Sequence, residues 1–354
     1  MSANAPRVAA DALTAFVADL FVQLGVPEAG ARTTAQALVA ADLEGVPSHG
    51  VMLLPMYVDR LVAGSVSKAG AASVARDDGS AVVLDAGNAL GQITARQAVD
   101  LLVGRAREHG LAAVAVRNAF HFGAAGYWAR ALADAGLIGV AMCNTRPLMP
   151  APGGAERLVG NNPLAIAFPA AGSEPLVLDM ALSATAMGKI RLAESAGQPI
   201  PTGWAVDGEG RPTTDPATAI KGMLLPAAGP KGFGLALMID LLCGGLTGGA
   251  IGAEVKPLYG DPAVPYGCAH LFLAIAPASF GVEGELATRV AALARSVRDS
   301  KPAPGVDRVY APGDIELARR KTNAGACPLP ADVLEKLVAA GQRFGVPTAS
   351  LTTQ

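Results

Sequence analysis

Helical and strand patterns follow one another along this chain without strict alternation, and that irregularity constrains the fold more than any other feature. Val8, Leu13, Phe16, Val17, Leu20, Phe21 and Leu24 recur at helical spacing, and Gly25 closes the run. Pro27 opens a second helix to about Leu43, at the first-turn position where its missing N–H costs nothing. A third helix, about 51–63, carries Met52, Met56 and Tyr57 and stops at Gly64. The first 65 residues therefore predict a small helical unit.

From Ala81 the period changes. Strands are expected at 81–85, 112–116 and 138–143, with helices at 91–109 and 124–135 between them. Gly160-Asn161-Asn162-Pro163 turns the chain into apolar runs at 164–168 and 175–179, and a helix is expected over 183–195. The stretch 196–230, rich in Gly, Pro, Thr and Asp, predicts a long irregular excursion that covers a site. A buried helix at 232–246, a strand at 270–275 and helices at 284–298, 313–325 and 330–343 complete the chain. A doubly wound sheet would alternate; this pattern speaks against one.

Composition narrows the function classes. Half the 354 residues are apolar and 16% are charged, with a net charge of -2 and no basic block, which argues against nucleic acid as a partner. Gly234–Gly252 is the most apolar long stretch, but Asp240 and six glycines interrupt it, so a buried helix and loop fit better than a membrane span. Cys143, Cys243, Cys268 and Cys327 are too scattered for a disulfide framework or a metal site and read as reduced thiols of a cytoplasmic protein without a secretory leader.

The candidate chemistry centres on Ser48-His49-Gly50, presented from a turn between two helical patterns. An imidazole exchanges protons near neutrality, and the adjacent hydroxyl hydrogen-bonds in either sense. The alternative is that Ser48 caps the next helix and His49 is incidental. His121 follows a strand and precedes a glycine-bearing turn into a helix, where open α/β sheets hold ligands. His109 ends a helix and His270 opens a strand; both read as structural. No Gly-x-Gly-x-x-Gly occurs, and Gly188-Lys189 is followed by Ile190 rather than Ser or Thr, so neither a Rossmann fingerprint nor a P-loop is present. Lys231, in Gly229-Pro230-Lys231-Gly232, suits either an anion at a helix start or a solvated turn. Asp179 suits either a ribose hydroxyl or a turn cap.

Ser48-His49-Gly50, His121-Phe122-Gly123, Gly160-Asn161-Asn162-Pro163-Leu164-Ala165, Asp179-Met180-Ala181, Met187-Gly188-Lys189, Pro230-Lys231-Gly232 and Ala311-Pro312-Gly313-Asp314 occur in the order seen in one family. Over about residues 10–340 the chain resembles the malate/L-lactate dehydrogenases that lack a Rossmann fold, a family including ureidoglycolate, sulfolactate and diketogulonate oxidoreductases and cyclic ketimine reductases. The resemblance implies an α/β, non-Rossmann, mixed-sheet NAD(P)-binding domain over 76–300. A helical subdomain would be built from residues 1–75 with the 301–354 helices packed back on it. It also implies a homodimer, NAD or NADP as cofactor, and a small carboxylate substrate interconverted between 2-hydroxy and 2-oxo acid. The alternatives are a cyclic ketimine reductase and an inactive cofactor-binding homologue.

By the same resemblance, His49 and His121, with Ser48 and Lys189, fall on catalytic positions. Thr145, Asp179, Met180, Ala181, Lys231, Gly313 and Asp314 fall on cofactor contacts. Two positions carry specificity. Many members place an arginine four residues after the Ser-His-Gly histidine; here it is Leu53, and Arg146 is the first candidate for the carboxylate grip, with Tyr57 as a further substrate contact. Lys189 stands where ketimine reductases carry an aspartate, which favours an open-chain carbonyl substrate.

Overall fold

The computed structural model describes residues 6–282 and 284–351. The expected N-terminal helices form as α1 (Ala10–Gln23), α2 (Glu28–Leu43) and α3 (Leu54–Ala63). Each apolar stripe of α1 is buried to the last residue: Leu13, Val17, Leu20 and Phe21 are fully enclosed. Gly64 ends α3 in the left-handed conformation, φ +82°, that glycine adopts without strain.

The chain then builds a seven-stranded sheet with helices between its strands. We number its strands β1 (Ser73–Asp77), β2 (Ala81–Asp85), β3 (Leu111–Ala119), β4 (Ile138–Cys143), β5 (Leu164–Phe168), β6 (Leu176–Met180) and β7 (Cys268–Ile275). The further helices are α4 (Gly91–His109), α5 (Ala125–Asp134), α6 (Met187–Ser195), α7 (Pro216–Lys221), α8 (Pro230–Asp240), α9 (Glu285–Arg298), α10 (Asp314–Asn323) and α11 (Ala331–Phe344). The strand order is β1-β2-β3-β7-β4-β5-β6. Only β2 and β3 run parallel, joined by the crossover helix α4; the other neighbours are antiparallel. The sheet is mixed, as expected. Its late strand β7 inserts at the centre, which no local pattern announces.

Three expectations are refined. The 196–230 stretch is irregular for most of its length, but Ala205–Val206 pairs with both Pro212–Thr213 and Met223–Leu224, and α7 lies between those two. Strands of two residues leave no period to read, yet Ile200, Ala205, Ala219 and Leu224 share a buried cluster with Ile190 and Leu271. The helix expected at 183–195 begins at Met187. The helix expected at 232–246 is α8 from Pro230, which widens at Leu241–Gly245 into a π-helical turn, because Gly244 lets the backbone pass where a Cβ would lie 2.1 Å from the Ala250 carbonyl oxygen. Strand β1 went unseen because all five of its residues are exposed.

The two ends of the described chain meet. Arg7–Ala9 pairs antiparallel with Ala326–Pro328, and Arg7 Nη2 donates to the Asn323 and Ala326 carbonyls at 2.6 and 3.0 Å. Helix α11 lies against α1, where a Cβ on Gly341 would meet Phe16 at 2.9 Å, and against α3 through Arg343 and Asp59. One apolar core runs from α1 and α2 through α4 onto the sheet. No helix among the described residues is long and apolar enough to cross a membrane.

Arg60 ties the helical layer to the loop before β7. Its guanidinium is buried and donates to the carbonyls of Pro257, Leu258 and Val264 at 2.7–3.1 Å, and to Ser65 Oγ at 3.3 Å. These carbonyls lose their partners in Arg60→Leu. The expected cost is about 2–4 kcal/mol, read as a lower midpoint in a denaturant titration; an unchanged midpoint would show that water replaces the guanidinium freely.

Candidate active site

Helix α2 delivers the chain to one 3₁₀ turn, Pro47–His49. Asp42, in the last turn of α2, reaches past the turn and accepts the Val51 N–H at 2.8 Å. Gly50 must be glycine there, because a Cβ would come within 2.2 Å of the Asp42 carboxylate. Burial lifts the Asp42 carboxyl to about 7. Ser48 does not cap α3, which begins at Leu54 without a side-chain cap; its Oγ lies 3.0 Å from His49 Nδ1.

His121 leaves the end of β3 and faces His49 with ring centroids 5.5 Å apart and planes inclined by 26°. Helix α4 starts hard against its backbone: a Cβ on Gly91 would lie 2.1 Å from the Phe120 carbonyl oxygen. Tyr57 Oη lies 2.7 Å from His121 Nδ1 and 3.2 Å from the His121 carbonyl, and Gln92 Nε2 donates to it at 3.0 Å. The phenol hydrogen therefore serves two states. It goes to Nδ1 when that nitrogen is bare, and to the carbonyl when Nδ1–H donates to Oη. Either way Nδ1 is held and Nε2 is left for other work.

Burial lowers the His49 pKa to about 4. His121 is pushed well below its ordinary value, first by burial and then by His49 and His270. Both rings are neutral at rest. His270, read above as structural, is fully buried and stacked on Phe122 at 4.4 Å.

The expected cofactor residues follow one connected path. Asp179, at the end of β6, accepts the Gly126 N–H of α5 at 2.7 Å, five residues past His121. Met180 pairs with Leu164 in the sheet, and beyond Ala181 the Leu182 N–H binds the Asn161 carbonyl at 2.8 Å. Thr145 Oγ1 donates to Asn161 Oδ1 at 3.0 Å. Ala227 N–H binds the Leu182 carbonyl at 2.9 Å and brings in the α8 start, where Lys231 is exposed and without a side-chain partner among the described residues. Gly313, φ +88°, lies against Val177. Asp314 beside it is already engaged by Arg298 and the Ala311 N–H, which hold its carboxyl below the usual range.

A nicotinamide dinucleotide fits this donor set. Thr185 Oγ1, just past Ala181, is buried without a hydrogen-bond partner in the protein, and Gly313 leaves room where a Cβ would approach the Val177 carbonyl to 3.0 Å. Three expectations fare differently. Tyr57 is fully enclosed, so it touches His121 rather than a substrate, a correction with burial as its reason. Lys189 is exposed on α6, and among the described contacts none joins it to the histidines. Arg146 is half-buried with no ion pair or hydrogen bond among the described residues, and its charge acts on Tyr266, whose ring meets Phe120 at 6.1 Å beside His121.

Sequence reasoning missed the frame under Thr145. Asn144, fully buried, donates to Asp240 Oδ1 and to the Ala250 carbonyl, each at 2.8 Å, and accepts the Ala269 N–H. Asn162 accepts the Thr145 N–H at 2.8 Å and donates to the Ala236 carbonyl. The available signal was Asp240 itself, a charge inside an apolar helix.

Comparison with known proteins bears on the fold and the family. The family description malate/L-lactate dehydrogenase matches residues 8–338. The (2R)-3-sulfolactate dehydrogenase (NADP(+)) of Chromohalobacter salexigens is 39% identical over 89% of this chain and 92% of its own. The ureidoglycolate dehydrogenase (NAD(+)) of Escherichia coli K12 is 34% identical over 94% and 95%. Among solved structures, the sulfolactate dehydrogenase of Methanocaldococcus jannaschii superposes with a TM-score of 0.91 at 34% identity, covering 96% of this chain and 98% of that one. The fold and these relatives thus define a non-Rossmann NAD(P)-dependent oxidoreductase. The chain belongs to the malate/L-lactate dehydrogenase family.

If Tyr57 holds His121, Tyr57→Phe lowers turnover about 10–100-fold while the Michaelis constant for cofactor stays put. Steady-state kinetics decide this, and equal losses in turnover and cofactor affinity would mean a general collapse of the site.

Proposed function

We propose that this protein moves a hydride between the nicotinamide of NAD(P) and a small 2-hydroxy acid/2-oxo acid pair, with His121 as its acid/base. The single observation that carries the reading is the His121 ring, held at Nδ1 by Tyr57 and facing His49 with Nε2 left for a substrate. The cofactor supplies and accepts the hydride when bound. In the oxidation direction neutral His121 is the tautomer whose Nδ1–H donates to Tyr57 Oη, with the phenol hydrogen on the His121 carbonyl, and its bare Nε2 takes the hydroxyl proton. In reduction the same nitrogen returns the proton to the developing oxyanion, whose charge raises the ring's proton affinity. His49, with Ser48 against its Nδ1, forms the second wall of the site.

Arg146 is the proposed carboxylate grip. It is a half-buried guanidinium without a protein partner, whereas Leu53 is buried in the core and offers nothing polar. Lys189 at the position of the ketimine reductases' aspartate favours a carbonyl substrate. The four buried free thiols support a reducing, cytoplasmic location.

A homodimer is the proposed assembly. Leu235, Met238, Leu242 and Leu246 recur along α8 and its π-helical extension, all exposed, with Leu241 and Ile251 beside them. Such a contiguous apolar face marks an interface. Leu242→Glu is expected to shift the protein toward half its mass in light scattering; retention of the wild-type mass would place the interface elsewhere.

The function itself is tested by consumption of NADH and NADPH with oxaloacetate, pyruvate, sulfopyruvate, oxalurate and the two cyclic ketimines. Turnover of an open-chain 2-oxo acid is expected. Turnover of ketimines alone overturns the substrate class, and silence throughout overturns the activity. His121→Asn is expected to cut turnover by about 10²–10⁴-fold with cofactor binding intact.

The pH profile has a definite sign. Oxidation needs a neutral imidazole, and both rings are held below the ordinary value near 6.5, so kcat/KM for oxidation should be flat from about pH 6 to 8 and fall only below that. A limb centred above about pH 7 would assign the base to another group.

A further inference from the structure

A cavity of about 500 Å³ opens between the β6 entry and α10, with Gly313 in its lining. Five cations line it, Arg130, Arg298, Arg308, Arg320 and Lys321, against three carboxylates. Each carboxylate is already matched. Glu44 pairs with Arg130, Asp314 takes both Nε and Nη2 of Arg298 at 2.9 and 2.8 Å, and Glu174 binds Arg320 Nη2 at 2.6 Å. That leaves Arg308 and Lys321 with no ion pair or hydrogen bond among the described residues; Arg308 only lies over the Tyr310 ring at 5.3 Å. The lining thus carries two more cations than carboxylates, and Arg308 acts on Asp314 by its charge alone, without contact. Val177 and Leu317 add an apolar wall.

Two unmatched cations beside an apolar wall suit a flat heterocycle carrying a dianion more than they suit a carboxylate. The position supplies the rest. Gly313 lines the cavity and is one of the residues read above as meeting the dinucleotide. We propose that this cavity is a phosphomonoester site, in which Arg308 and Lys321 grip the 2′-phosphate of the cofactor's adenosine, so that the enzyme favours NADP(H) over NAD(H). The proposal rests on the dehydrogenase reading and deepens it. Neither residue belongs to the motifs that carry the family resemblance.

The test is calorimetric titration of the full-length protein with 2′,5′-ADP, 5′-AMP and inorganic phosphate. It is repeated on Arg308→Gln, Lys321→Gln and the double variant. Both side chains are exposed, so the variants should keep the wild-type melting temperature. Expected is at least a tenfold preference for 2′,5′-ADP over 5′-AMP. Each substitution should weaken 2′,5′-ADP about tenfold with 5′-AMP unchanged, because each removes one charge-assisted contact. In turnover the KM for NADPH should rise while that for NADH stays. Binding of 2′,5′-ADP should also weaken below about pH 6, where the phosphate takes its second proton.

Equal binding of the two nucleotides by the wild type overturns the phosphate assignment and leaves the dehydrogenase standing. Inorganic phosphate bound equally well with saturating 2′,5′-ADP present would make the cavity an anion site separate from the cofactor, which also overturns the proposal. Failure of either nucleotide to bind, together with no turnover of either cofactor, overturns the dehydrogenase reading beneath it.

Discussion

The contact between Tyr57 Oη and His121 Nδ1 is where two layers of the molecule become one site. Tyr57 comes from α3 in the helical layer and His121 from the end of β3 in the sheet, so neither layer holds the imidazole alone. Gln92, on the first turn of α4, completes the phenol's hydrogen bonding. Much of the surrounding architecture keeps these three in register: Gly91 lets α4 start against the Phe120 carbonyl, and Arg60 pins the loop whose Tyr266 meets Phe120. A buried phenol with both its acceptor and its donor roles filled is rigid in position and adaptable in where its hydrogen points.

The electrostatics of the site follow from burial more than from charge pairs. His49 and His121 are partly exposed, and their burial is enough to hold the proton affinity of both rings below the ordinary value until a substrate brings negative charge to them. Arg146 presents the opposite case, a cation kept half-buried without a counter-charge. An unpaired guanidinium in such a place is costly for folding alone, and a carboxylate ligand relieves that cost.

What could be read from the sequence divides along physical lines. The mixed sheet, the helical N-terminal unit and the two histidines were legible, because period, turn residues and proton-exchanging side chains are local features. Gly160-Asn161-Asn162-Pro163 was legible as a motif but not as a mechanism, since Asn162 works by holding Thr145 to a helix 74 positions away. The role of Tyr57 depends on a partner 64 positions on, and that of Arg60 on carbonyls nearly 200 positions on. Asp42 was invisible for a different reason: only the finished turn shows that its carboxylate fills the space a side chain on residue 50 would need. The two-residue strands around Ala205 carry too little period for any pattern to find.

The pairing of Arg7–Ala9 with Ala326–Pro328 has a consequence for how the molecule is made. Its partners stand 319 positions apart, and α11, which covers α1 and α3, comes later still. On a ribosome adding about 5–20 residues each second, the helical layer waits tens of seconds with its apolar faces uncovered while the sheet assembles behind it. Closing so long a loop is slow relative to local folding, so the step that covers the helical layer is among the last. A truncated nascent chain would then hold a folded sheet beneath an uncovered helical layer, and quality control in the cell would meet this protein first through its N-terminal helices.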